Sequence, residues 1–227
     1  MNNAKEIVEA SGKAIIKNLA RCLPLGSTAV DIYDELQSKQ VGRKIQRLEE
    51  FYSALDAKIL EVENRINHDF ISKPDFQDVF EEATRYVVQE RLEKKRAYFK
   101  NILVNSIIST ECDYDKTERY FRLLDNLGNI ELEVMAVLDN PKDYCARHDI
   151  QLDSIMNGGH MSAEGVLTGI LRLNIFEVDD AATILFSNGL LKDNLINIKR
   201  EFANNPINVL TNILTIRGKK FMGFLKG

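Results

Sequence analysis

Three histidines, His68, His148 and His160, and three cysteines, Cys22, Cys112 and Cys145, are the whole supply of imidazole and thiol in these 227 residues. Only Cys145, His148 and His160, with Asp149 beside them, have residue types that could hold zinc. Cys-x-x-His allows two ligands from one turn, but the remaining spacing is irregular and Asn157-Gly158-Gly159 reads as an ordinary loop. The expectation is a buried thiol beside a surface loop, with no metal and no cofactor. No glycine-rich phosphate loop, HExxH, nucleophile elbow or EF-hand loop occurs. Catalysis therefore has no residues to recommend it, and the chain is expected not to be an enzyme.

Charge offers more. The run Glu90-Arg91-Leu92-Glu93-Lys94-Lys95-Arg96, with Lys100 a turn later, interrupts an otherwise apolar stretch. Such a run is most simply a solvated helix face laced by pairs such as Glu90 with Lys94. The alternative is a partner or self-association surface using Arg91, Lys94 and Lys95, since charge within an apolar helix can specify register. A second basic group, Lys199, Arg200, Arg217, Lys219 and Lys220, lies near the end of the chain. Residues 125–191 hold eleven acids and three bases, whereas 192–227 hold seven bases and two acids. A basic closing helix folded on its own acidic neighbour accounts for this, and so does a partner steered to the C-terminal end. Net charge is −4, so there is no overall basic field to gather nucleic acid.

The elements that must carry these groups are helical. Val41, Ile45, Leu48, Tyr52, Leu55, Ile59, Val62 and Ile66 alternate gaps of four and three. That heptad seam predicts one helix over residues 41–66, about 39 Å long, that must bury its stripe on another helix. Each buried side chain is worth about 1.5–3 kcal/mol. The partner expected is a second long helix from Asp75 to about Ser109, joined through Ser72-Lys73-Pro74-Asp75 into an antiparallel hairpin. Ahead of it, Ala4–Cys22 reads as an amphipathic helix stopped by Leu23-Pro24-Leu25-Gly26-Ser27, and a short helix follows through Leu36. Residues 1–110 form the first expected domain.

Residues 111–227 change texture and form the second. Helices are expected over Lys116–Leu127, Ile130–Asp139, Ser162–Leu173 and Asp180–Ser187. Two strands, Leu190–Lys199 and Ile207–Leu214, are expected around a tip at Asn204-Asn205-Pro206, and a closing helix over Thr215–Leu225. Short helices, a hairpin and a closing helix are the order of a winged-helix-like module. Sequence-specific DNA reading is disfavoured, because Asp180–Ser187 starts acidic and offers no Arg, Lys, Asn or Gln. The uncoupled cysteines point to a reducing, cytoplasmic setting. No stretch approaches the roughly 20 apolar residues needed to span a bilayer. The Leu23–Val30 segment, behind a helix bearing Lys13, Lys17 and Arg21, leaves surface contact with a membrane open.

"EKKRAYFKNILVNSI", then "YFRLLDNLGNIELEVMAVLDN" after a short acidic spacer, and far downstream "GLLKDN…LTIRGKKFMGFL" resemble the Abi-alpha family of bacterial abortive-infection proteins. The likeness covers about residues 90–140 and 185–225, and it departs through 141–178. It implies a role in antiphage defence and carries no catalytic residues with it. The expectation is a mostly α protein, a helical bundle followed by a winged-helix-like module with a small β-hairpin, working through a protein partner or as a homo-oligomer. The alternatives are a DNA-binding regulator and a membrane-perturbing effector.

Overall fold

The computed structural model describes residues 13–25, 27–39, 41–151, 161–195, 199–200 and 206–226. It is mostly helical, as expected, and it divides into two compact units: residues 1–125 with 224–227, and residues 126–223. The helix expected from Lys116 thus sits with the first unit rather than beyond a boundary at 110.

In unit 1 the heptad stripe holds. Helix α1 covers residues 13–22, α2 runs Thr28–Ser38, and α3 runs Gly42–Val62, closing in a 3₁₀ turn at Glu63–Arg65. Ile45, Leu48, Tyr52, Leu55, Ile59 and Val62 are all buried, together with Phe51. The partner is not one helix but several. After α4 (His68–Ile71), α5 runs Pro74–Gln89 and α6 runs Glu93–Ile108, and the two pack on each other while both pack on α3. Phe76, Val79, Phe80 and Ala83 from α5 meet the seam with Phe99, Ile102 and Leu103 from α6. The Tyr52 and Phe80 rings stack at 5.7 Å, and Tyr86 lies parallel to Phe99 at 5.0 Å.

The expected second long helix is therefore broken at residues 90–92, where no Gly or Pro marks a stop. Glu90 and Leu92 both take extended backbone. The Glu90 carboxylate accepts from the Leu92 backbone N–H at 2.8 Å. Arg47 from α3 donates to the Val88 and Gln89 carbonyls at 3.0 and 3.3 Å, which occupies acceptors left free at the end of α5. Helix α7 (Tyr114–Asn126) adds Phe121, 6.0 Å from Phe99. Asn101 and Asn105 of α6 hold the end of the chain by donating to the carbonyls of Leu225, Phe224 and Lys226.

Unit 2 is built on α8 (Asn129–Asp139), α9 (Pro141–Arg147), α10 (Ala163–Leu171) and α11 (Ile175–Ser187), followed by α12 (Ile216–Leu225), whose last two residues belong with unit 1. Helix α8 packs on α9, α10 and α11. Among the described residues the expected β-hairpin is not seen: the one bridge between its halves joins Leu191 to Leu214, and Pro206–Leu210 is a 3₁₀ turn. That turn buries Ile207, Val209 and Leu210 together, whereas an extended strand would set Leu210 on the face opposite Ile207 and Val209. Pro206 supplies no N–H for a ladder. The only strand pairing among the described residues is two residues long, β1 (Met161–Ser162) antiparallel to β2 (Lys199–Arg200). The Asn204-Asn205 tip lies outside the described residues, as do Gly26 and residues 1–12.

Truncating the seam tests this arrangement. Leu55→Ala should cost about 2–5 kcal/mol in urea denaturation, whereas Leu60→Ala, on the exposed side of the same helix, should stay within about 0.5 kcal/mol.

Candidate functional site

The charged groups singled out by sequence do not form one surface. Lys95 is only 6% exposed. Its ammonium pairs with Glu90 at 3.3 Å and donates to the Asp125 carbonyl at 2.8 Å. It is a tie within unit 1, so the contact role expected for it does not fit its position. The expected Glu90–Lys94 pair is replaced by Glu90–Lys95, because Glu90 precedes the break and is not on the same helix. Arg96 is likewise committed, donating to Glu50 at 3.3 Å and to the Arg91 carbonyl at 3.0 Å. Arg91 and Lys94 remain at the surface, Lys94 with its ammonium 5.9 Å from the Tyr98 ring centre.

Burial alone would push the Glu90 carboxyl up, but the Leu92 and Arg91 N–H groups and the Lys95 charge outweigh it and hold it below its ordinary 4.5.

A thiol and two hydroxyls converge at the join of α6 and α7, which sequence spacing does not reveal. Ser106 donates to Ile102 O at 2.8 Å and Thr117 to Asp113 O at 2.8 Å, and Cys112 Sγ lies 3.5 and 3.3 Å from their oxygens. Thr117 Oγ1 also lies 3.0 Å from Ser106 Oγ, so the three side chains form a buried hydrogen-bonded tie between α6 and α7. Cys145 is buried on α9, and His148 follows it, stacked on Tyr144 at 4.3 Å. His160 lies outside the described residues. Among the described residues no three His, Cys, Asp or Glu side chains are grouped to hold a metal.

In the Leu23–Val30 segment Leu23, Leu25 and Ala29 are buried, while Val30 is 37% exposed. Among the described residues no helix is long and apolar enough to cross a membrane.

What unit 2 does present is α11. Helix α10 starts on Ser162, whose hydroxyl accepts from Gly165 N–H at 3.1 Å. It ends at Arg172, which takes the left-handed conformation. Asn174 then opens α11 with a capping box: its Oδ1 accepts from Glu177 N–H at 2.9 Å while Glu177 Oε2 accepts from Asn174 N–H at 3.0 Å. This places the helix start at Ile175, five residues before the Asp180 expected. The Asn174-x-x-Glu177 spacing was the available signal.

Helix α11 buries only Val178, Ala181, Ala182 and Leu185. Two adjacent alanines leave room for the close approach to α8 and α10. The outward side carries Phe176 at 78% exposure, Ile175 at 47%, Phe186 at 45% and Ile184 at 38%. Interleaved with them are Glu177, Asp179 and Asp180, with no base on the helix. Burial and then the Asp179 charge raise the Glu164 carboxyl of α10, so the acidic end of α11 reaches inward as well.

The far end is tied to α12. Gly189 adopts φ +69°, and its N–H reaches Phe186 O at 2.8 Å. Thr215 donates to Gly189 O at 2.8 Å while accepting from Gly218 N–H at 2.9 Å. A side chain at 218 would meet Leu190 O at 2.5 Å, so only glycine fits this contact. The join sets Arg217 Nη1 3.8 Å from where a Gly189 Cβ would lie and leaves Ile216 77% exposed. Lys219 and Lys220 are exposed on the same helix, and Lys199 and Arg200 form β2.

No protein-family model matches the chain, and neither a curated protein nor a solved structure matches it.

Replacing Lys95 with Met should destabilise unit 1 by about 3 kcal/mol, because Glu90 is left half-enclosed without its cation. The lowered Glu90 value means that this stabilisation is full above pH 4.5 and lost as pH falls through the folded value. The gap in urea stability between wild type and K95M should therefore be largest near pH 7 and close towards pH 3.

Proposed function

We propose that the chain is a non-enzymatic bacterial protein that acts through protein contacts, with α11 as its contact element. The observation that carries this reading is the exposure of four large apolar side chains, Ile175, Phe176, Ile184 and Phe186, on one helix. Single exposed apolar residues are ordinary, but four large ones on a helix of thirteen residues, interleaved with acids, suit an interaction surface. Aromatic anchors of this kind dominate binding energy when covered.

Unit 2 is read as a winged-helix-like module reduced to its helical part. Its support is the helix, short left-handed turn and helix formed by α10, Arg172–Asn174 and α11. In that reading α11 takes the place of a recognition helix but carries the wrong groups for DNA. Glu177, Asp179 and Asp180 would face phosphates, which favour Lys and Arg. A DNA-binding regulator is accordingly the weaker reading, although Arg217, Lys219 and Lys220 are exposed nearby. The membrane-perturbing alternative would first require Leu23 and Leu25 to leave the core. Antiphage defence in the cytoplasm is the setting proposed, on the resemblance of residues 90–140 and 185–225 to the Abi-alpha family.

A photo-crosslinking phenylalanine analogue at Thr183, on the outward face of α11, tests the contact role in the native host. A discrete adduct should form there and not from the same analogue at Asp56 on α3. No adduct from position 183 would contradict the reading.

A further inference from the structure

We infer that unit 1 carries a binding site for a short polyphosphate anion, in the cleft between the C-terminal halves of α3 and α6. The cleft encloses about 330 Å³, and Lys58, Arg65 and Lys226 line it with no carboxylate among the lining residues. Residues 58, 62 and 65 follow at gaps of four and three on α3 and its closing turn, and residues 101, 104, 105 and 108 share one face of α6, so each helix supplies a wall. Val62, Val104 and Ile108 make the apolar part of those walls. Apolar walls keep the local dielectric low and strengthen the field of the three cations.

Like charges gathered on one cleft repel, so their placement needs a cause. Capping is the ordinary one, because all three stand in the last turns of a helix or just beyond one, where carbonyls lack partners. The carbonyls ending α6 and α12 are held by asparagines instead. Asn67 donates from its backbone N–H to Ile107 O at 2.8 Å and from its side chain to Ser109 O at 3.0 Å. Asn101 and Asn105 hold the carbonyls of residues 224–226. The cations are not needed for that task, and the same bonds fix the walls before any ligand arrives.

The nearest acid, Glu61, stands outside the lining and pairs with Lys58 at 2.9 Å. The hydrogen bond and charge of Lys58, with the charge of Lys100 added, hold its carboxyl below 4.5, so an exposed acid already feels this field. The cleft nearer the start of the same two helices differs. There Arg47, Arg96 and Lys100 meet Glu50 and Glu93, and both guanidinium groups already donate to Glu50 or to backbone carbonyls.

Size and lining name the ligand class. A volume of about 330 Å³ is at the small end for ligand sites. No aromatic ring lines the cleft to stack a base, and no carboxylate lines it to take ribose hydroxyls. Two or three linked phosphates spread their charge over three separate cations, and the Arg65 fork suits a phosphate bidentately.

The test is calorimetric titration of the full chain at low ionic strength with pyrophosphate, tripolyphosphate and ATP. Tripolyphosphate should bind one site in the micromolar range and ATP no more tightly, with affinity falling as salt rises. Arg65→Ala and Lys58→Ala should each weaken binding about tenfold. Lys39→Ala, exposed ahead of the opposite end of α3, should leave it within about twofold. Glu61→Gln releases Lys58 and should tighten binding about threefold, a gain that damage to the fold would not produce. Circular dichroism confirms that each variant is folded. Absence of binding at millimolar tripolyphosphate overturns the inference, and so does binding indifferent to both Arg65→Ala and Lys58→Ala. ATP binding without tripolyphosphate binding also overturns it, because the nucleoside and not the phosphate chain would then be recognised.

Discussion

The narrowness of the stripe that α11 buries governs what unit 2 can do. Val178, Ala181, Ala182 and Leu185 are the helix's only inward residues. The two alanines allow α8 and α10 to approach closely at the cost of burying little area per residue. A helix held by so small a stripe keeps most of its circumference in water, and here that circumference carries Phe and Ile among acids. Removing such side chains from water is worth about 1.5–3 kcal/mol each. The fold leaves that energy unrealised on the free chain, which is the physical basis for reading the face as a place of contact.

The two ends of the helix are more tightly specified than its middle. A reciprocal cap fixes the first turn, and the last turn is locked by Gly189 at positive φ and by the contact of Gly218 with Leu190. These devices set where α11 begins and where it ends.

Much of unit 1 was legible in the sequence because its signal is periodic. The gaps of four and three predicted the buried stripe of α3 from Ile45 to Val62, while Val41 and Ile66 fall outside the helix and Phe51 joins the buried side without being in the pattern. The break at residues 90–92 was not legible, since Glu, Arg, Leu and Lys all favour helix. The interruption is imposed by groups distant in sequence: Arg47 takes the α5 carbonyls and Lys95 turns inward to Glu90 and Asp125 O. Charge that reads as a solvated face is in part a buried tie. In unit 2 the apolar pattern of residues 207–214 fits a strand as well as a 3₁₀ turn, and packing chose the turn. The start of α11 was readable from Asn174 and Glu177. A helix beginning only at Asp180 leaves out two of its exposed apolar residues, Ile175 and Phe176.

Water contact at position 176 tests the account most directly. A trifluoromethyl-phenylalanine placed there reports solvent through the shift of its fluorine resonance between H₂O and D₂O. The account predicts a full solvent shift at this position, where the ring is 78% exposed. A fluorine signal with no solvent shift would contradict it.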